Sequence, residues 1–579
     1  MNLIKKILFK KISAKGLAVF RIAYALNFLF ELIWVFNYRQ LYFDKIPFLD
    51  THFPDVTLLL LMWMVFVFLL CIGLYTRVAT IINYVFTVVF ISTMKDYEYH
   101  MIYAYIGINL LLIFLPIQKE LSLDLLRKKI EYLNKGVLYK IEKVSKINYL
   151  VPVFVAVGLV YFDAAVVYKM KSPMWLNGLG IWLPSSLPQI TMTDAQWLLN
   201  QEWLIKFLSN LTMIFEFVFI FLFWNKRFRY LLIVIGVGLH LGIFLIYPIP
   251  YFAIGYIILY LLLVPVSIWE KITKKLTNRP KKIVLYYDEN VLDIHKIVVL
   301  IKFFDIFHSI KFIKKSTSKS LEIFNEENSK SIVFILDKNN YLPNDDALNK
   351  IVRLAPLSYV VIRIIRFFYG GNEAFSLLKN TKDIEITPFN ESHVQTKIIR
   401  LRDYGLLFIV ILYGFLQINL NLGFFKTNST FSNSIKHFGY HYLGVTFHGV
   451  FSDAHFKGYN QVYSIKYKDK LLPILDEQGL LDSYMAGGTY AYWIWRVNRP
   501  YVSKTHYYLR KGLIEYSSFW AHKNEINLSD KQEFDIVKKK IKVSFKWERD
   551  LLHKNMEIPW EKVGVLTWEK KRPNIKWDE

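Results

Sequence analysis

Residues 161–178 read YFDAAVVYKMKSPMWLNG, and the prediction of the fold starts from this stretch. An apolar helix leads to Lys169 and Lys171, which stand just before Trp175 and Gly178. Lysine at the end of an apolar helix is either an anchor whose charge reaches the membrane surface or a group used for chemistry. Residue physics alone favours the anchor. The alternative is a desolvated lysine that serves as a general base.

The composition indicates a membrane protein with more than one domain. The chain has 579 residues, of which 54% are hydrophobic and 17% aromatic, too apolar for a soluble protein of this length. The formal net charge is +25, and Lys and Arg cluster at the ends of apolar runs. This distribution suits anionic lipid as a partner and gives no motif for nucleic acid. Cys71 is the only cysteine, so intramolecular disulfides and cysteine-based zinc sites are excluded.

Apolar runs long enough to span a membrane, at about 17–25 residues each, predict the fold class. We expect a polytopic α-helical membrane protein with about eight spans and a weaker ninth. The spans are predicted at 16–37, 57–75, 78–94, 100–117, 149–168, 203–224, 229–247, 250–269 and 405–423.

The basic loops predict the topology. Lys and Arg concentrate at the N-terminus and at 75–77, 118–148, 225–229 and 270–275, so these segments are expected in the cytoplasm. Loops 38–56, 95–99, 169–202 and 247–250 then lie outside, and an amphipathic helix is expected from Leu125. The interpretation is a multi-pass protein of the inner or plasma membrane with an extracytoplasmic C-terminal domain.

Four regions follow from these patterns. Residues 1–275 form the helical membrane domain, and 281–400 read as a cytoplasmic α/β domain. Residues 405–423 are the ninth span, and 424–579 read as a mostly β domain outside the membrane. Within the last region, the alternating stretches from Tyr442 to Phe451 and from Gln461 to Tyr467 are predicted as strands.

Several ionisable residues fall inside the predicted spans, where charge is costly and must face protein or a water-filled cavity. Together they favour an internal polar cavity; they are Arg21, Glu31, Asp163, Glu216 and His240, with His100 near the outer mouth. Farther along, His441, His448 and His455 with Asp453 are interpreted as surface residues, and no metal is predicted.

Residues 10–270 resemble the horizontally transferred transmembrane (HTTM) domain of vitamin K-dependent gamma-carboxylases and their bacterial relatives. The order and spacing of several short motifs carry the resemblance. They are FRI at 20–22, YTR at 75–77, YHMIY at 99–103, LSLD at 121–124, the stretch 161–178, and His240 leading to YPIPYF at 247–252.

The resemblance implies a carbon–carbon lyase reaction at the outer face of the membrane. In the carboxylases a lysine deprotonates a reduced naphthoquinone of the vitamin K or menaquinone type, and O2 addition yields a strong alkoxide base. That base removes a proton from glutamate, which takes up CO2. The resemblance implies Lys169 as the lysine, with Lys171 as the rival, and His100 as the active-site histidine. His240, Tyr99 and Trp175 are the expected cofactor-binding residues, and the partner is a secreted or membrane-tethered polypeptide.

The cytoplasmic region resembles a second family, the DCC thiol–disulfide oxidoreductase-like domain with a thioredoxin-like fold. YDENVLDI at 287–294 places Val291 and Ile294 where the family carries its two cysteines, and 345–356 and 372–378 fit the rest of the pattern. Without a thiolate there is no exchange chemistry, so a redox-inactive scaffold or docking domain is expected. The whole chain therefore has a second interpretation, a non-catalytic membrane scaffold for maturation or export of a secreted peptide.

Overall fold

A computed structural model of the chain describes residues 8–49, 55–277, 283–288, 291–305, 308–316, 393–423, 429–449 and 451–578, with short pieces at 333–337, 340–343, 347, 351 and 387–388. The main helices, in chain order, are α1 (Lys15–Asn37), α2 (Thr57–Ile72), α3 (Thr76–Thr93), α4 (His100–Phe114), α5 (Leu123–Asn134), α6 (Ile147–Lys171), α7 (Glu202–Leu222), α8 (Arg229–Ile246), α9 (Pro250–Tyr260), α10 (Val266–Thr277), α11 (Leu292–Phe304), α12 (His393–Leu422), α13 (Thr430–Phe438) and α14 (Tyr507–Lys523).

Six of the described helices are long and apolar enough to cross a membrane, namely α1, α3, α6, α7, α8 and the apolar part of α12. Three shorter apolar helices, α2, α4 and α9, lie at the other predicted spans. These helices are compatible, by length and composition, with the membrane character predicted from the sequence. The amphipathic helix expected from Leu125 is also present as α5, and the Ser122 hydroxyl caps it by accepting from the Leu125 backbone N–H.

The stretch 250–269 is not the single helix that was predicted. Helix α9 ends at Tyr260, and α10 begins at Val266 after a turn. Pro265 explains the break, because proline lacks an N–H and disfavours helical geometry in the residue before it. No residue of α10 is buried, so this amphipathic helix lies on the surface of the protein.

Arg21 has a structural partner set inside the helical bundle. Its guanidinium is fully buried in α1 and donates to the carbonyls of Ile117 at 2.7 Å and Cys71 at 3.4 Å. Cys71 lies in the last turn of α2, where carbonyls have no helical partner, and Ile117 lies in the loop that follows α4. Arg21 therefore links α1 to the C-terminal end of α2 and to the loop that follows α4.

Between α10 and α12 the described residues contain a small mixed sheet. Its strands are β1 (Ile283–Tyr287), β2 (Ile310–Lys314), β3 (Val333–Asp337) and β4 (Asn340–Pro343), in the order β2-β1-β3-β4. β1 and β2 are parallel and joined through α11, whereas β3 is antiparallel to both β1 and β4. Ile294 is fully buried in the core of this unit, and Val291 packs against that core. Apart from residues 347 and 351, the motifs at 345–356 and 372–378 lie outside the described residues.

The region after α12, which we call the tail (residues 429–578), contains a five-stranded antiparallel sheet. Its strands are β5 (Gln461–Tyr467), β6 (Lys470–Leu471), β7 (Gln532–Lys540), β8 (Glu561–Glu569) and β9 (Arg572–Trp577), in the order β6-β5-β7-β8-β9. The strand predicted at Gln461–Tyr467 is confirmed. The tail is not mostly β, because helices α13 and α14 and several short helical turns accompany the sheet.

The strand predicted from Tyr442 to Phe451 is wrong. Residues Gly439–Leu443 form a wide helical turn, and 444–449 are irregular. Gly444 sets this course with a left-handed φ of 70°. A Cβ at this position would lie 2.2 Å from the Tyr103 carbonyl oxygen, so only glycine allows the chain to approach α4 this closely.

The tail has no separate core within the described residues. One connected core of buried apolar side chains runs from Ala14 in the bundle to Ile575 in the last strand. The loops predicted to lie outside all meet the tail at one end of the bundle, which we call the tail end. These contacts join Tyr38 to Ser483 (3.2 Å), Asp96 to Lys511 (3.2 Å), Asp194 to His553 (2.7 Å) and Pro248 to Gly487 (2.9 Å).

Candidate functional site

Helix α6 delivers the predicted lysine through two widened turns. Residues Phe154–Gly158 and Ala164–Tyr168 each form a π-type turn, and a tight turn at Lys169–Lys171 ends the helix. Single π-type turns inside a helix change which way the following side chains point, and they occur often at functional sites. Lys169 follows the second of these turns directly. It is buried inside the protein, whereas Lys171 is exposed.

Lys169 lies in a closed ion pair. Its Nζ donates to both carboxylate oxygens of Glu216 in α7, at 2.6 and 2.7 Å. Both residues are only 6% exposed. The indole of Trp175 covers the ammonium group, with 4.3 Å between Nζ and the ring centroid. A buried lysine of this kind keeps its charge only through such partners, because desolvation penalises an unpaired ammonium.

Trp175 is held in place by the tail. Its Nε1–H donates to the Phe451 carbonyl at 2.9 Å. Asp453 accepts from the Met174 backbone N–H at 3.1 Å and from the Ser172 hydroxyl. The tail thus fixes the short helix Pro173–Leu176, and this helix carries the indole over Lys169.

A second polar chain borders the ion pair. The Tyr161 hydroxyl lies 2.6 Å from His240 Nε2 and 2.6 Å from the Tyr260 hydroxyl. The imidazole of His240 stacks on Tyr256, with 4.8 Å between ring centroids. Lys169 is close enough to His240 for its charge to act on the imidazole. The Lys169–Glu216 pair and the Tyr161–His240–Tyr260 chain are therefore neighbouring polar groups.

His100 lies in a second group of buried side chains. Its ring contacts His448 of the tail, with 5.8 Å between centroids. Asp163 accepts from the His448 backbone N–H at 2.9 Å and from the Asn421 side chain. The Nδ1 atoms of His100 and His448 are both buried and lack hydrogen-bond partners among the described residues. The structure thus brings Lys169, Trp175 and His240 together, and it pairs His100 with His448.

Tyr99 joins neither group. Its hydroxyl donates to Glu31 in α1, and the Tyr105 hydroxyl donates to the same carboxylate. Glu31 is buried, so these two hydroxyls stabilise a carboxylate that would otherwise lie unpaired inside the bundle. The expectation that Tyr99 contacts a cofactor therefore has no support from its surroundings.

Three residues at these groups were not predicted as site residues. Glu216 and Asp163 were recognised only as ionisable residues inside spans, and nothing in the sequence indicated which partner each would meet. The interpretation of His448 as a surface residue is wrong, because only 4% of it is exposed. Its sequence signal was weak, since a lone histidine between apolar residues resembles one on an exposed strand.

A cavity of about 540 Å³ opens at the tail end of the bundle. Its lining includes Asp96, Glu98, His455, Trp495, Arg496 and Arg499. Arg496 lies 3.8 Å from Glu98, and Arg499 is exposed. Burial lowers the pKa of His455, whose charge is close enough to act on His100. The cavity therefore lies next to the group that contains His100 and His448.

Three buried histidine nitrogens offer hydrogen-bonding positions for a ligand. Across the described parts of the chain, no three His, Cys, Asp or Glu residues are grouped as metal ligands. The buried Nδ1 atoms of His100, His240 and His448 have no described hydrogen-bond partners and are available to a hydroxyl or carbonyl group. A quinone ring carries such groups on an apolar frame, so the residues present fit it.

Comparison with known protein families, curated proteins and solved structures found no match to this chain. The class of protein therefore rests on its own architecture, a predominantly helical protein whose described part holds six helices able to cross a membrane. The buried groups around Lys169 and His100 lie where the apolar helices meet the tail.

Proposed function

We propose that the protein is a quinone-coupled membrane enzyme of the gamma-carboxylase type, acting on glutamate in a secreted or membrane-tethered polypeptide. The observation that carries the proposal is the buried Lys169–Glu216 pair beneath Trp175, with His240 close by. Burying an ionisable pair in a membrane bundle costs desolvation free energy. Ionisable groups inside membrane domains therefore commonly mark a functional site.

The pair provides a base that can be switched by one proton. In the charged form Lys169 is an ammonium and cannot accept a proton. When Glu216 holds the shared proton, the Lys169 amine is free to accept another from an acidic hydroxyl beside it. The short Nζ to Oε distances of 2.6 and 2.7 Å permit this transfer without movement of the helices.

The aromatic region beside the pair suits a reduced naphthoquinone. His240 and Tyr161 would hydrogen-bond one end of the ring, and Trp175 would limit the access of water to Lys169. When bound, the quinone would supply, with O2, the reducing power and the strong base for deprotonating glutamate. The protein's own contribution is to bind, orient and accept the first proton.

The tail-end cavity suits the glutamate side chain of the polypeptide. Arg496 and Arg499 line it beside Asp96 and Glu98, and Arg496 lies 3.8 Å from Glu98. The exposed Arg499 is therefore the group proposed to bind the carboxylate, because arginine recognises carboxylates through its forked N–H groups. In the proposed topology this end faces away from the cytoplasm, which agrees with a secreted substrate. The basic loops of the chain lie on the predicted cytoplasmic side.

The unit between α10 and α12 is proposed to be a redox-inactive DCC-like domain. Its strand order β2-β1-β3-β4, with one parallel pair and a following hairpin, agrees with a thioredoxin-like sheet. Val291 and Ile294 occupy the positions expected for cysteines, and both belong to the apolar packing of the unit. A scaffold or docking role follows, because no thiolate is available there.

A second candidate function is a non-catalytic scaffold for maturation or export of a secreted peptide. The specific observation that favours it is the completeness of the Lys169–Glu216 pair. The two carboxylate oxygens and the ammonium satisfy one another, as in a structural ion pair. The core shared between tail and bundle would also suit a rigid receptor for a peptide.

The two candidates are separated by a carboxylation assay on the detergent-purified full chain. The assay supplies reduced menaquinone, O2, labelled CO2 and glutamate-containing peptides from secreted proteins encoded near this chain. Enzyme function predicts label in the peptide and its loss in Lys169→Ala, with the exposed Lys171→Ala retaining it. Peptide binding without label or quinone oxidation, in protein shown to be folded, would instead favour the scaffold.

A further inference from the structure

Residues 439–449 and 451–456 of the tail, which we call the return segment, fold back against the membrane helices. Leu443, Val445 and His448 are buried there. Non-helical backbone among membrane helices is tolerated only where its polar groups find protein partners. Side chains of the apolar helices supply these partners: Tyr84 to Tyr442 O (2.7 Å), Tyr413 to Leu443 O (2.9 Å) and Gln417 to Thr446 O (3.0 Å).

The return segment then runs beside the end of α6. Asp163 accepts from the His448 N–H, and a Cβ on Gly449 would lie 2.8 Å from the Tyr168 ring. Farther along, the Phe451 carbonyl accepts from Trp175. One continuous stretch therefore reaches from the His100 group to the indole that covers Lys169.

We propose that His448 is a substrate-contacting residue, which with His100 holds a hydroxyl or carbonyl group of an uncharged aromatic ligand, and that Asp163 is the positioning residue for it. This inference rests on the proposed function, which makes the ligand a naphthoquinone, and it assigns the His100–His448 pair to the end of the ring system opposite the one at His240 and Tyr161. It adds a site residue from the tail, the part of the chain in which no resemblance to the carboxylases was found.

Two independent observations carry the inference. The rings of His100 and His448 lie 5.8 Å apart between centroids with 44° between their planes, and each retains a buried Nδ1 without a described partner. Buried polar atoms of this kind are rare unless a ligand or water completes them. Asp163 holds the backbone N–H of His448, so the imidazole ring is not needed to fix the return segment.

The charge around the two rings selects the ligand class. Burial and the neighbouring His100 lower the pKa of His448 to about 3, so its ring is neutral at physiological pH. Asp163 lies on the backbone side of the same residue. A carboxylate would approach the carboxyl group of Asp163 there, which is unfavourable in a buried site. A hydroxyl group can donate to one imidazole and accept from the other, and a carbonyl oxygen can accept from both.

The test measures binding directly, with the full chain in detergent. Menadione, a naphthoquinone with two carbonyl groups, is titrated against wild type and variants while tryptophan fluorescence is followed. We expect His448→Gln and His100→Gln each to weaken menadione binding about tenfold. Because both residues are proposed to hold the same group, the double variant should weaken binding by much less than the product of the two single effects. The exposed His437→Gln is the control and should bind as wild type does.

Variants of Asp163 distinguish a role in positioning His448 from a role in the stability of the fold. Asp163→Asn keeps an acceptor for the His448 N–H and should bind menadione within about twofold of wild type. Asp163→Ala removes the acceptor and should weaken binding to the level of His448→Gln. Unfolding temperatures, measured on the same samples, identify any variant that has lost its fold; the comparison of folded variants then decides.

Three outcomes would overturn the inference. The first is that wild type binds no menadione. The second is that His448→Gln binds menadione as tightly as wild type does. The third is that His448→Gln weakens the binding of a glutamate peptide and leaves menadione binding unchanged. Failure of the proposed function looks different. In that case menadione binding would still depend on both histidines, but no peptide would be carboxylated and no quinone oxidised.

Discussion

The indole of Trp175 lies over the ammonium of Lys169, 4.3 Å from ring centroid to Nζ, and a backbone carbonyl of the tail at Phe451 holds that indole. The region at 161–178 therefore depends on a segment nearly three hundred residues later in the chain. Cation–π contact with tryptophan stabilises a desolvated ammonium by about 2 kcal/mol. The tail thus helps to set the environment of the proposed base.

The buried ion pair makes a prediction about stability. Lys169→Ala leaves Glu216 buried without a partner, so we expect the free energy of unfolding to fall by about 3–5 kcal/mol. The double variant Lys169→Met with Glu216→Leu replaces the pair by apolar side chains and should recover most of that loss while remaining inactive. Thermal unfolding in detergent measures both effects.

A suitable control is Lys206→Ala, which removes an exposed ion pair with Glu202. Exposed pairs contribute about 0–1 kcal/mol, so this variant should unfold as wild type does. Equal unfolding temperatures for Lys169→Ala and Lys206→Ala would show that the Lys169 pair is not buried as described.

Substitutions of two glycines in α8 test the hydrogen-bonded pair of Tyr161 and Tyr260 beside the site. A Cβ at Gly236 would lie 2.3 Å from the Tyr260 ring, whereas Gly238 has open space around it. Gly236→Ala should therefore displace Tyr260 from Tyr161, lower stability by about 1–3 kcal/mol and weaken naphthoquinone binding. Gly238→Ala has the same change in helix propensity without the clash and should be neutral or stabilising. Wild-type behaviour of both variants would count against the described packing.

Glu515 in α14 makes a prediction about pH. Burial raises the pKa of Glu515 to about 7, although Lys511 and a hydrogen bond from Tyr492 act in the opposite direction. Because the folded state binds this proton more tightly than the unfolded state, stability falls as the pH rises from about 4.5 to about 7. The full effect is on the order of 3 kcal/mol.

Glu515→Gln should remove that pH dependence, because the amide stays neutral across the range. Unfolding midpoints of wild type and variant, measured between about pH 4.5 and pH 8, give the comparison. The exposed Glu561→Gln should retain the wild-type profile. An identical pH profile for Glu515→Gln and wild type would contradict the assigned pKa.

The proposed topology predicts which exposed positions can be labelled from outside the cell. Cys71 is buried, so cysteines introduced at Glu557 in the tail and Lys275 in α10 can be followed separately. A membrane-impermeant maleimide should label Glu557→Cys in intact cells and Lys275→Cys only after lysis. The reverse pattern would place the tail in the cytoplasm and remove the secreted substrate from the account.

The apolar helices could be predicted from sequence because burial in lipid demands long apolar runs, and each run is read locally. The break between α9 and α10 at Pro265 was not predicted, because hydrophobicity alone carries no information about the N–H that proline lacks. The return segment was missed for a different reason. Its alternating apolar residues around His448 match a strand, and only contacts with distant helices turn them inward.

The site was predictable only in part. Lys169 and Trp175 stand close together in the sequence, and the structure keeps them in contact. Glu216 and His448 come from other elements, and their partners are set by how helices and tail pack. Tyr99 was expected at a cofactor by its place beside His100, but its hydroxyl turns to Glu31 instead.

The measurement that tests the central claim most directly is quinone turnover by the purified full chain. Reduced menaquinone and O2 are supplied, and the quinone epoxide is quantified for wild type, Lys169→Ala and Lys171→Ala. The account predicts epoxide from wild type and from Lys171→Ala, and at least a hundredfold less from folded Lys169→Ala, within the range of about 10²–10⁴ for loss of a general base. Epoxide formation that survives in Lys169→Ala, or none from folded wild type, would contradict it.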